Sequence, residues 1–282
     1  MTSVPRVHLL LQAYGRADIR DQALYAAWSA LAWRGDLDLV VHVYADDPEF
    51  LAPLGERVRV HDVTREQIFA WRGAHDCAFR MKAAVVRDLA SQVEGEKLLY
   101  LDSDVFFTGP AARVFERIGP GRAVMHLREF DIATHDTGQL RRYRRRMRRA
   151  TFRGEPVTLD GWMWNAGAIG LDPSHFVLLD EWVELVDALW DQVSYWMHEQ
   201  YAISKLLARA GTIAAADDVI VHYWSQKPDA LALIGPRLEL LRSRPLDEAL
   251  RRLREEPLRL PPPARRRSTF RERIVRVLRK LG

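Results

Sequence analysis

Apolar positions in this chain fall into short continuous runs separated by stretches of helical period, and the alternation predicts an α/β fold. Val7-His8-Leu9-Leu10-Leu11 reads as a first buried strand, ended by the turn Gln12-Ala13-Tyr14-Gly15. Over residues 18–33, Ile19, Ala23, Ala26, Ala27, Ala30 and Leu31 recur at helical spacing, and Gly35 stops the pattern. Residues 39–44 and 58–63 predict two further strands, and residues 78–92 a helix carrying Arg80 and Lys82 in its first turns. Residues 123–127 read as another strand. Residues 175–192 form an amphipathic pattern with Phe176, Leu179, Trp182, Val183, Val186, Leu189 and Trp190 inward, and residues 197–210 a helix stopped at Gly211. Residues 219–228 look like a final strand and turn, with His222 ending the strand and Lys227-Pro228 following as a metal-and-phosphate loop. Strands that alternate with helices imply a mostly parallel sheet.

Lys97-Leu98-Leu99-Tyr100-Leu101-Asp102-Ser103-Asp104-Val105-Phe106-Phe107 organises this plan. Its unbroken apolar run is that of a buried parallel strand, whose C-terminal end is where ligands bind in open α/β sheets. Asp102 and Asp104 flank Ser103, so on extended backbone both carboxylates point the same way and can hold one hard divalent cation. A surface turn with two solvated acids is the plainer alternative. The chain has no Gly-x-Gly-x-x-Gly after its first strand and no Walker loop, which removes the dinucleotide and P-loop readings. In Gly161-Trp162-Met163-Trp164-Asn165-Ala166-Gly167, small residues permit close backbone approach by a ligand. The tryptophans there suit either a sugar-stacking wall or the core. Glu199 opens its helix, where the dipole favours an anion.

Composition narrows the function classes. A chain of 282 residues with 48% hydrophobic content can bury a large core. One cysteine, Cys77, rules out an internal disulfide framework and fits a cytoplasmic setting. No signal-peptide h-region and no apolar run long enough to span a bilayer is expected. The net charge of +4 is modest but clustered: seven of the nine residues 141–149 are arginine, a run that must be solvated or meet anions. From Arg237 the composition turns to arginine, leucine and proline, giving a division into a main domain, 1–245, and a basic tail, 246–282. Within the tail, Phe270, Ile274, Val277, Leu278 and Leu281 share one helical face opposite Arg271, Arg273, Arg276, Arg279 and Lys280. This is the pattern of an interfacial helix on the inner face of an anionic membrane, or of a helix docked on protein.

Four ordered blocks, Phe79-Arg80-Met81-Lys82, Leu99-Tyr100-Leu101-Asp102-Ser103-Asp104, Asn165-Ala166-Gly167 and His222 with Lys227-Pro228, together with a looser Glu199-Gln200, resemble the GT-A glycosyltransferases. More narrowly they resemble the retaining glycosyltransferase family 8. The resemblance implies a GT-A fold with a Rossmann-like sheet, and Mn2+ or Mg2+ held by Asp102, Asp104 and His222 against the diphosphate of a nucleotide sugar, a UDP-sugar. It places Arg80 at the donor sugar, Lys227 at the diphosphate, Lys82 in support and Ser103 between the acids. Asn165, Ala166 and Gly167 would lie by the transferred sugar; apart from the resemblance, Tyr14 suits either stacking on the base or packing at the strand end. Glu199 would orient donor or acceptor, and Gln200 stabilise the oxocarbenium-like carbon. The implied reaction moves a hexose, with retention, to a glycan or glycolipid acceptor. Aspartate is usual in the family where Glu199 stands, and the opening loop lacks the family's acidic and aromatic base-binding pattern. Two alternatives accompany this reading: an inverting transferase with Glu199 as general base, and a non-catalytic basic adaptor for membrane or nucleic acid on the same fold. No groove-reading motif for nucleic acid is visible.

Overall fold

The computed structural model describes residues 5–93 and 95–261. Strand β1 (Arg6–Ala13) turns at Gly15 into helix α1 (Ala17–Ala32), followed by β2 (Asp38–Ala45), a 3-10 segment and β3 (Val58–Asp62). Helices α2 (Arg65–Arg72) and α3 (Arg80–Ala90) return the chain to β4 (Lys97–Leu101), and the acidic turn leads on to β5 (Val105–Phe107) and the single-turn α4 (Ala112–Phe115). After β6 (Arg122–Met125) and β7 (Arg128–Asp131) come the arginine-rich α5 (Gly138–Met147) and a hairpin of β8 (Thr151–Phe152) and β9 (Glu155–Pro156). β10 (Trp162–Trp164), β11 (Ala168–Leu171), α6 (Leu179–Gln192), α7 (His198–Ala210), β12 (Thr212–Ala215), β13 (Ile220–His222), α8 (Lys227–Arg242) and α9 (Leu246–Glu255) complete the described chain.

Seven strands form the central sheet in the order β12-β6-β11-β4-β1-β2-β3. β11 alone in that sheet runs against the others, pairing antiparallel with both β4 and β6. The apolar runs are buried on both faces because each strand divides its side chains between two cores. Leu9, Leu11, Leu99 and Leu101 meet α1, α8 and α9, whereas Leu10, Leu98 and Tyr100 meet α3, α6 and α7. On the second face a buried ladder crosses three strands: His8 Nδ1 lies 2.9 Å from His42 Nε2, and His42 Nδ1 2.9 Å from His61 Nε2.

Three expectations change. Residues 175–192 are not one helix: Asp172 accepts from Ser174 N–H and His175 Nδ1 accepts from the Asp172 N–H. Together they cap a 3-10 turn, Pro173–Leu178, ahead of α6. Lys227 does not sit in a loop but opens α8, with Pro228 in its first turn where no backbone donor is missed. The segment read from composition as a tail begins as core, since Ala249, Leu250, Leu253 and Leu258 are buried in the α1 cluster. The amphipathic stretch 268–281 lies outside the described residues. No described helix is long and apolar enough to cross a membrane.

Candidate functional site

The C-terminal ends of β1 and β4 open onto a cavity of about 1070 Å³, lined among others by Tyr14, Lys82, Asp102, Ser103, Asp104, Asn165, Ala166, Gly167, Glu199, Gln200, His222 and Lys227. Twelve of the thirteen residues singled out from sequence therefore share one wall. Arg80 is the exception. Its guanidinium forms a two-pronged pair with Asp187, 2.5 and 2.8 Å, and donates to the carbonyls of Ala70 and Trp71. It ties α2 to α6 and does not line the cavity, so here its partners are packing partners.

Asp102 and Asp104 leave β4 on the turn into β5, and β13 pairs with β5 so that His222 stands opposite Val105. One ligand atom from each of Asp102, Asp104 and His222 falls within 4.8 Å of the others. His222 is oriented from behind: its Nδ1 lies 2.8 Å from Asn165 Oδ1, and that oxygen is identified by the Gly167 N–H it accepts at 3.0 Å. The imidazole accordingly donates through Nδ1 and turns the Nε2 lone pair toward two carboxylates, 3.2 Å from Asp104 Oδ1. Three electron-rich atoms facing one another suit a divalent cation, so the residues present fit the metal that the sequence implies. Gly167 makes the arrangement sterically feasible, because a Cβ there would overlap the His222 ring.

Two lysines neutralise the acids. Lys227 Nζ is 2.9 Å from Asp104 Oδ2, from the half-exposed first turn of α8. Burial by itself would raise the Asp104 pKa, but the Lys227 ammonium, and the His222 ring whenever both its nitrogens carry protons, outweigh it and hold the carboxyl well below the usual range. Lys82 is buried, 3.1 Å from Asp102 and 3.4 Å from Glu199, and donates to the Ala166 carbonyl at 3.0 Å. Burial opposes its charge, yet these two carboxylates raise its pKa overall. Glu199 is pushed up to about 7 by burial, against the pull of Lys82 and with the help of Asp102.

Sequence reading passed over several cavity residues. Glu129 accepts from Asn165 Nδ2 at 2.8 Å and from Gln200 Nε2 at 2.7 Å, joining the turn before β11 to α7. Tyr100 accepts from Gln12 Nε2 and donates to Asp102 Oδ1 at 2.7 Å. Gln12 Oε1 and the Tyr14 hydroxyl are buried beside the cavity without a hydrogen-bond partner among the described residues. Neither Trp162 nor Trp164 reaches the cavity; the aromatic wall comes from Tyr14, Phe79, Phe130, Trp196 and Trp224. Tyr100 has the clearest signal in sequence, as the even-numbered neighbour of Asp102 on the same strand face.

A mostly parallel sheet with one reversed strand, and a paired-acid turn at its C-terminal edge, defines the GT-A fold of nucleotide-sugar transferases. No protein-family model and no curated protein matches the chain. Among solved structures it is similar to the galactosyltransferase LgtC in complex with donor and acceptor sugar analogues, with 16% identity, 74% of this chain and 73% of that one covered, and a TM-score of 0.50. It is also similar to the bifunctional glycosyltransferase WbbM, with 10% identity, coverage of 76% and 39%, and a TM-score of 0.51. Mouse xyloside xylosyltransferase 1 matches at 18% identity over 75% and 85%, with a TM-score of 0.46. At such identities the likeness to LgtC and WbbM establishes the fold alone.

Proposed function

We propose that the protein is a metal-dependent glycosyltransferase that moves a hexose from a nucleotide sugar, UDP-linked, to a glycan or glycolipid acceptor with retention. The observation that carries this reading is the convergence of Asp102, Asp104 and His222, with the His222 tautomer set by Asn165. Asp102, Asp104 and His222 would hold Mn2+ or Mg2+, which would supply positive charge to the diphosphate as it becomes the leaving group. Lys227, at the mouth side of Asp104, adds a second positive charge for the same anion. Tyr14 and Gln12 present unpaired polar atoms at the end of β1, where a nucleotide base can satisfy them. Glu129 holds Asn165 and Gln200 as one hydrogen-bonded unit, which orients them toward the transferred sugar. Glu199, fixed by Lys82 on the floor of the cavity, orients the donor.

One observation favours a second reading. A carboxyl held at about 7 is poised as a general base, which is what an inverting transferase needs of Glu199. The anomeric configuration of the product, read by NMR, separates the two.

Hydrolysis of UDP-, GDP- and dTDP-sugars is the test, run with Mn2+, with Mg2+ and with EDTA, beside Asp104→Asn. Metal-dependent turnover of one donor, lost in the variant, is expected. Silence across the panel, with no thermal stabilisation by any donor, overturns the reading, because a ligand at 100 times its dissociation constant contributes about 2.7 kcal/mol.

A further inference from the structure

Helix α5 buries Leu140, Tyr143 and Met147 and leaves the rest of its surface to arginine. Arg141 pairs with Asp136, and Arg144 donates to the carbonyls of Ile132 and His135. Arg142, Arg145, Arg148 and Arg149 are exposed and make no ion pair among the described residues. The helix begins at the cavity, where Thr137, Gln139 and Leu140 form part of the lining.

The same opening carries three large exposed aromatics: Phe79 is 47% exposed, Trp196 46% and Trp224 58%. Phe79 and Trp196 connect to α5 through contacts. Phe79 lies 6.3 Å from Trp196, Trp196 stacks on Tyr195, and the Arg146 guanidinium stands 6.0 Å over the Tyr195 ring. On the other side of the mouth, the Pro261 carbonyl accepts from Gln226 Nε2 at 2.8 Å, two residues past Trp224. The chain therefore passes this rim as it enters residues 262–282, which contain the basic amphipathic stretch.

We propose that the mouth face, made of Phe79, Trp196, Trp224 and the outer side of α5, is the surface on which the protein rests against an anionic bilayer. Aromatic side chains with apolar bodies settle at the headgroup level, and unpaired arginines beside them complement an anionic leaflet. Charge alone suits any polyanion. Exposed aromatics interleaved with that charge around a cavity mouth favour a lipid interface, where burying them is favourable. A lipid-borne acceptor then reaches the cavity without leaving the membrane surface, and this last step rests on the transferase reading.

The full chain is sedimented with vesicles of 70% phosphatidylcholine and 30% phosphatidylglycerol, and with pure phosphatidylcholine, in about 0.1 M salt, where the Debye length is ~10 Å. Wild type is compared with Arg142→Gln/Arg145→Gln/Arg149→Gln, whose sites are exposed to solvent. Each basic group near such a leaflet is worth roughly five-fold in partition, so the triple variant should raise the half-saturating anionic lipid at least about ten-fold. Hydrogen exchange should slow in peptides covering 138–149 and 193–197 when anionic vesicles are added. Unchanged binding of the triple variant, with protection confined to 262–282, overturns the proposal. So does loss of binding to single-stranded RNA with vesicle binding intact, which would make the face a nucleic-acid surface. Both readouts are taken without donor sugar. Failure of the hydrolysis panel thus removes the transferase reading and leaves the docking result standing.

Discussion

Replacing Lys82 by methionine probes the charge balance on which the cavity floor depends. Lys82 Nζ lies 3.1 Å from Asp102 and 3.4 Å from Glu199. At an effective dielectric near 20, unit charges at these separations attract by about 5 kcal/mol each. Desolvating a buried ammonium and a buried carboxylate offsets most of that gain, so the intact arrangement contributes little net stability. Its disruption is another matter. The Glu199 side chain is 4% exposed and has no other cation in an ion pair among the described residues, so Lys82→Met strands a buried acid at a cost of about 3–5 kcal/mol. With Glu199→Gln in the same chain one stranded charge disappears, and the double variant should be more stable than Lys82→Met alone by about 1–3 kcal/mol. Urea unfolding followed by tryptophan fluorescence, in EDTA, reads both changes. With a slope of about 3 kcal/mol per molar urea, the single variant should shift the midpoint by at least ~1 M. If the two substitutions add within about 0.5 kcal/mol, Lys82 is not the counter-ion of Glu199 and the argument fails.

Gly167→Ala should abolish metal-dependent thermal stabilisation while the urea midpoint without metal falls by about 1–3 kcal/mol equivalent, since the new methyl overlaps the His222 ring. Full retention of the metal response would show that the ring has room to move. Arg80→Met should lower the melting temperature and leave the donor KM within two-fold, about 0.4 kcal/mol, because its partners are Asp187 and two carbonyls outside the cavity. A ten-fold rise in KM with unchanged melting would instead place Arg80 at the donor. Acid should destabilise the fold well before the carboxylates titrate. Burial, with His8 and His61 adding to it, lowers the His42 pKa to about 3, and burial lowers that of His198 to about 4. Both are neutral in the fold, the unfolded chain takes their protons first as pH drops through 6.5, and each costs about 1–2 kcal/mol by pH 5. His42→Gln/His198→Gln should flatten that slope between pH 7 and 5, and an unaltered slope would contradict the assignment.

Much of the site was legible because its signals are local. An apolar run ending in Asp102-Ser103-Asp104 announces a buried strand and its acids within eleven residues, and Gly167 beside Asn165 marks a close backbone approach. What escaped depends on distant partners. Arg80 looks like a free cation in sequence, and only the arrival of Asp187 from α6 commits it to packing. Glu129 joins Asn165 and Gln200 from a strand with no motif of its own. Trp196 and Trp224 become a cavity wall only when the segments that lead into α7 and α8 meet at the same cavity, whereas Trp162 and Trp164, which look the part, face elsewhere. Apolar periodicity also carries no arrow, so nothing in Ala168-Ile169-Gly170-Leu171 says that β11 runs opposite to its neighbours.

That reversed strand changes which kind of connection serves the reaction. Parallel strands deliver their trailing loops to the binding edge, and such loops have slack before the next helix. β11 delivers its leading turn instead, and that turn is stitched at both ends: Asn165 N–H donates to the Leu127 carbonyl, His126 N–H to the Asn165 carbonyl, and Asp102 N–H to the Gly167 carbonyl. The amide that sets the imidazole is thus part of the sheet, as stiff as the strands themselves. Lys227, by contrast, rides on the half-exposed first turn of α8, outside that stitched turn. The pocket thus sets an anvil of sheet backbone beneath an ammonium carried by a helix.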